Sequence, residues 1–129
     1  MELFDCNLCF GREMLNHECV NHENFIVLEQ VKTAEDAEEL LRYMDKFDIR
    51  RGIVWHKSQY ELDADAGNRR LMSETAGHEE RLIPSWTVLP AVTDEQYDPE
   101  VFFPAMKEAG VRTLRAFPVK DRYFLNVVT

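Results

Sequence analysis

Leu3 to Phe10 alternates, so Asp5, Asn7 and Cys9 share one side of an extended segment with Leu3, while Phe4, Cys6, Leu8 and Phe10 share the other. A carboxylate, an amide and a thiol gathered at the C-terminal end of a strand could form an altered site. They could equally be satisfied by neighbouring backbone groups. His56 closes a short apolar run, Gly52-Ile53-Val54-Trp55. It is expected to face the same site and could take a substrate carboxylate or phosphate, or hydrogen-bond to a nearby loop. Lys120 and Arg122 follow a later strand and could hold an anionic substrate or be solvated loop charges. Arg115 lies inside that strand, where a buried charge needs a partner. Cys6, Cys9, His17, Cys19 and His22 have the spacing C-x2-C followed by H-x-C-x2-H, which raises a structural zinc site. Strand alternation counts against it, because it sends Cys6 and Cys9 to opposite faces, and no glycine turns the chain between them. There is no Gly-rich phosphate loop, no Gly-x-Ser-x-Gly elbow and no Ser/His/Asp set.

The elements that position these groups follow a repeated plan. A first strand ends near Phe10, before Gly11. Residues 11–32 are a long connection, of a kind more often functional than incidental, within which Phe25 to Leu28 could be a short extra strand. Thr33 is an N-cap candidate, with Asp36 at the capping-box position. Ala37, Leu40, Leu41, Met44 and Phe47 then form one helical stripe. Gly52 to His56 suits a strand buried on both faces. Asp63 to Ala76 reads as a helix with Leu71, Met72, Thr75 and Ala76 inward, closed by Gly77. Leu82 to Leu89 reads as a strand that starts after Pro84, since proline cannot donate to a ladder. Asp98-Pro99 opens a third helix, and Pro104 either kinks it or ends a separate turn. Val111 to Phe117 is a fourth strand, closed by Pro118. The order β-α-β-α-β-α-β predicts parallel strands joined by right-handed crossovers.

The 129 residues are 45% hydrophobic and 30% charged, which fits one domain with a core, residues 1–129. The formal net charge of −9 and the absence of a basic stripe argue against nucleic acid. No apolar run approaches a membrane span of about 20 residues. No signal-peptide pattern opens the chain, and three cysteines do not make a disulfide frame, so a cytoplasmic location is expected.

The segment Phe4-Asp5-Cys6-Asn7-Leu8-Cys9-Phe10-Gly11 resembles the first strand of the amidohydrolase superfamily, most closely the amidohydrolase-related metal-dependent hydrolases and decarboxylases. That strand usually reads Asp-x-His-x-His before a small apolar segment and Gly. Gly67-Asn68-Arg69-Arg70-Leu71, Arg81 to Pro90, and Gly110 to Pro118 resemble the family's second helix, third strand and fourth strand. The resemblance covers nearly the whole chain but only the first half of a family barrel. It implies a partial (β/α)8, TIM-type barrel and a divalent metal, zinc first, held at Asp5, Asn7 and Cys9. It also implies hydrolysis or decarboxylation by metal-activated water. Asn7 and Cys9 stand where the family has histidines. The remaining ligands and the catalytic aspartate belong to later strands of such a barrel. Weak activity or none is therefore expected from this chain alone. The alternatives are a non-catalytic binding or assembly module on a half-barrel scaffold, and the zinc knuckle. Four parallel strands leave two open edges, so pairing into a homodimer through them is expected, with a small-molecule substrate if the chain is active.

Overall fold

The computed structural model describes residues 2–12, 33–90, 96 and 98–121. His17, Cys19, His22, Phe25 to Leu28 and Arg122 lie outside the described residues. The elements are β1 (Leu3–Phe10), α1 (Ala37–Lys46), β2 (Ile49–His56), a four-residue α2 (Ser58–Glu61), α3 (Ala64–Thr75), β3 (Leu82–Thr87), α4 (Pro99–Glu108), β4 (Thr113–Arg115) and a four-residue α5 (Pro118–Asp121). They form an α/β fold whose four strands pair in the order β1-β2-β3-β4, every pair parallel.

One side of the sheet carries the core. Leu8 and Phe10 of β1, Val54 of β2 and Leu82 of β3 pack with Leu40 and Met44 of α1 and Leu71 of α3. These are alternate strand positions and i, i+4 helix positions, so period 2 meets period 3.6 along one seam. No helix among the described residues is long and apolar enough to cross a membrane.

The start of α1 differs from the expectation at Thr33. Asp36 is the N-cap, with extended φ −142° and ψ 173°, and its carboxylate accepts from the Glu39 N–H at 2.8 Å. Glu39 reaches back to the Glu35 N–H at 2.8 Å. Two carboxylates thus satisfy donors at a positive helix end, which a single threonine hydroxyl does less well. The Thr33 hydroxyl accepts instead from Lys57 Nζ at 3.0 Å.

β3 begins at Leu82, and Pro84 lies inside it. The reason is a change of partner. Leu82, Ile83 and Pro84 pair with β2, whereas Ser85, Trp86 and Thr87 pair with β4. A residue without an N–H is tolerated where one ladder ends and the next begins. Pro104 does not split α4, which runs unbroken from Pro99 to Glu108. Val111 to Phe117 is not all strand: β4 is only Thr113–Arg115, and Pro118 opens α5 at its first position, where its missing N–H is harmless.

Candidate functional site

Neighbouring strand residues point to opposite faces, and the register shows which goes where. Phe10 pairs with His56 and belongs to the core, while Cys9 pairs with Trp55 on the other face. Thr87 of β3 pairs with Arg115 of β4. By the register of β2 with β3, Leu82 and Pro84 share the face of Gly52 and Val54, so Ser85 and Thr87 share the face of Trp55. Cys9, Trp55, Thr87 and Arg115 therefore leave one face, each at or next to the C-terminal end of its strand.

Trp55 is the centre of this face. Its indole Nε1 donates to Asn7 Oδ1 at 3.2 Å. Its ring lies 5.3 Å from Phe117, and Phe117 lies 5.0 Å, edge to face, from Tyr60 of α2. The Arg115 guanidinium carbon sits 5.0 Å from the Trp55 ring centre and 5.9 Å from that of Phe117, within cation–π range. Burial draws the guanidinium below its ordinary pKa, with the nearby Cys9 acting in the opposite direction. Arg115 Nε and Thr87 Oγ1 are both buried without a hydrogen-bond partner among the described residues. Lys120 completes the row, its Nζ 5.4 Å from the Tyr60 ring centre and 3.2 Å from Asp121 Oδ1.

The expected metal set comes apart. β1 takes three steps from Asp5 to Leu8 while β2 takes two from Gly52 to Val54, a bulge that breaks the alternation. Asp5 consequently pairs with Gly52, in the register of Val54 and His56, and is not aligned with Asn7 and Cys9. Its carboxylate accepts from the Asn7 N–H at 2.7 Å. Asn7 Oδ1 is engaged by Trp55. Burial pushes the Cys9 thiol up to about 11, against the lowering effect of Lys57 and Arg115, so it is a neutral thiol at pH 7. The thiolate is the metal-binding form. No three His, Cys, Asp or Glu side chains converge as a metal site among the described residues. Asp5, Asn7 and Cys9 do not fit a divalent metal in this arrangement.

His56 is likewise not on the site face. It is 2% exposed, stacks edge to face on Phe10 at 5.0 Å, and sits under α3 with Nε2 3.5 Å from Glu74 Oε1. Its Nδ1 lies 3.1 Å from the Ser58 N–H and 2.6 Å from Ser58 Oγ. Since a backbone N–H only donates, Nδ1 accepts and the neutral ring carries its proton on Nε2. Gly11, at φ 122°, passes so close that a Cβ there would lie 2.6 Å from His56 Nε2.

Of the residues expected to bind substrate, Lys120 borders the aromatic face and His56 lies behind the sheet. Trp55 and Thr87 were not anticipated at the site. Trp55 stands in an apolar run that reads as core, and Thr87 carries no distinguishing sequence signal. Arg115 carried a usable signal, a charge inside a strand, and Asn7 and Lys120 were themselves site candidates in the sequence. No family model matches this chain, and no curated protein or solved structure is detectably similar to it.

Proposed function

We propose that this chain is a non-catalytic small-molecule-binding module, built on the first half of an amidohydrolase-like (β/α) barrel. Two features favour the scaffold. The parallel strands follow one another without a switch in order, and α1 and α3 pack on the same side of them. That is the arrangement of a singly wound barrel rather than of a doubly wound sheet. Ligands of such folds bind at the C-terminal ends of the strands. The observation that carries the proposal is the row Trp55–Phe117–Tyr60 at that end, with Asn7, Arg115 and Lys120 along it. Aromatic walls with a few placed polar groups are the make-up of a ligand site. Metal-activated hydrolysis is the less favoured reading, because the groups at Asp5, Asn7 and Cys9 are occupied, misaligned or protonated.

The indole N–H of Trp55 reports on this face directly. Its NMR resonance, assigned by loss in Trp55→Phe, is expected to shift saturably with members of a panel of small planar fragments. The resonance of Trp86, which packs against Phe102 under α4, stays in place. A panel in which nothing moves Trp55, or zinc-dependent hydrolysis of simple amides and esters by the chain, would overturn the reading.

A further inference from the structure

Among the described residues, the guanidinium on the ligand face has no paired counter-charge. The Arg115 side chain makes no hydrogen bond or ion pair with any described residue; its contacts are the rings of Trp55 and Phe117 and the field of Cys9. Its Nε is buried and unmatched. Its register partner Thr87 is fully buried, leaves the same face, and holds a second unmatched polar atom, Oγ1. Buried polar atoms in folded proteins almost always have partners, and a half-buried guanidinium whose Nε has lost water without gaining a partner opposes folding. Two such atoms on paired residues are best explained by a group that arrives from outside.

Resting on the ligand-face reading above, we propose that this site binds the oxyanion of a small molecule, a carboxylate or a phosphate, on the Arg115 guanidinium with the Thr87 hydroxyl beside it. The guanidinium presents planar N–H donors in a fork that matches two oxygens of one anion. The Trp55 and Phe117 rings flank it and restrict the side chain, so less freedom is lost when the anion docks. A hydroxyl can donate to the same anion. Cys9 is the one titratable group whose field acts on the guanidinium among the described residues, and the carboxylate of Asp121, beside the row, is engaged by Lys120. A metal cation is disfavoured at the same place by charge alone.

The test titrates the full chain with benzoate, acetate, inorganic phosphate and the neutral analogue benzamide, following the Trp55 indole and Arg115 Nε–H resonances. Benzoate or phosphate is expected to move both, and the comparison between them separates carboxylate from phosphate. Benzamide binds about tenfold more weakly than benzoate, the loss expected when a charge-assisted contact is removed. Arg115→Met abolishes the preference for anion over neutral analogue, while its melting temperature stays equal to or above that of the parent, because an uncompensated charge has gone. Arg115→Lys retains part of the preference, and Thr87→Val weakens anion binding without touching the charge. Equal binding of benzoate and benzamide, or an Arg115→Met chain that still prefers the anion, overturns the proposal while leaving the ligand face intact. Silence of Trp55 toward every compound removes the ligand face itself.

Discussion

The side-chain amides of Gln59 and Asn68 are joined behind the sheet, Gln59 Nε2 donating to Asn68 Oδ1 at 2.7 Å. Gln59 also accepts from the His56 N–H at 2.7 Å and donates to the Ser85 carbonyl at 2.9 Å. Asn68 donates to the Thr87 carbonyl at 2.9 Å and accepts from the Thr87 N–H at 2.7 Å. Both side chains are almost completely buried. Together they satisfy backbone groups at the ends of β2 and β3 and lock α2 and α3 to the strands that carry Trp55 and Thr87.

Asn68→Ala removes three of these bonds and strands the Thr87 N–H, while the Thr87 carbonyl keeps Gln96 Nε2 at 3.0 Å. The expected cost is about 2–4 kcal/mol, since each buried group left unmatched costs about 1–3 kcal/mol. Urea unfolding measures it. A loss below about 1 kcal/mol would mean that the network is replaceable by solvent. In a double-mutant cycle with Gln59→Ala, the two substitutions should be clearly non-additive, as members of one network are.

Gly67 of α3 crosses α2 at very short range. A Cβ at that position would lie 2.5 Å from both the backbone N and Cα of Gln59. Helix propensity alone favours alanine over glycine by about 1 kcal/mol. The steric conflict with immobile backbone acts the other way and is the larger effect, about 1–3 kcal/mol for overpacking. Gly67→Ala should therefore destabilise the chain in the same unfolding assay. A stabilised variant would show that α2 can move away from α3.

Much of the architecture was legible because it depends on local pattern. Leu8 and Phe10, then Leu40 and Met44, reveal a strand and a helix by their spacing, and the alternation of elements implies parallel pairing. At the site, Asn7 and Lys120 were legible as candidates and Arg115 as a charge unusual in a strand, whereas Trp55 and Thr87 were not. His56 was misplaced because Gly52-Ile53-Val54-Trp55 is apolar on both faces, so its pattern does not say which side meets the helices. Only the register of Phe10 with His56 decides that. The bulge between Asp5 and Leu8 arises from pairing with β2, and β1 read alone shows unbroken alternation. Pro84 misled for the same reason, because a change of pairing partner leaves no mark in one strand's own sequence.

His56 makes stability depend on pH. Burial lowers its pKa, and the nearby Glu74 only partly offsets this, with Arg70 adding to the lowering and Glu61 opposing it. Protonation would place a new hydrogen on Nδ1, toward which the Ser58 N–H already points. The folded-state pKa lies below the unfolded value of about 6.5, so the unfolded chain takes up the proton first as pH falls. The neutral ring's contribution is complete above about pH 6.5 and is lost progressively below it, down toward the folded-state pKa. Unfolding free energy measured between pH 7.5 and 5 should fall for the parent and fall less for His56→Asn, whose side-chain oxygen can still accept from the Ser58 N–H. Equal slopes would show that other groups carry the dependence.

Cys6 and Cys9 should differ in reactivity even though only two residues separate them. Cys6 is exposed, while burial raises the Cys9 thiol to about 11. The thiolate is the nucleophile, so at pH 8 only roughly a thousandth of Cys9 is reactive, against about a quarter of an ordinary thiol with a pKa near 8.5. Iodoacetamide labelling mapped by mass spectrometry should modify Cys6 first, with the Cys9 rate still climbing at pH 10. Arg115 is one of the two cations that hold the Cys9 pKa down. Arg115→Met should therefore slow Cys9 labelling further while leaving Cys6 unchanged. Labelling of Cys9 as fast as Cys6 at pH 8 would mean that its thiol is neither buried nor shielded, and that the face around Trp55 is far more open than the structure has it.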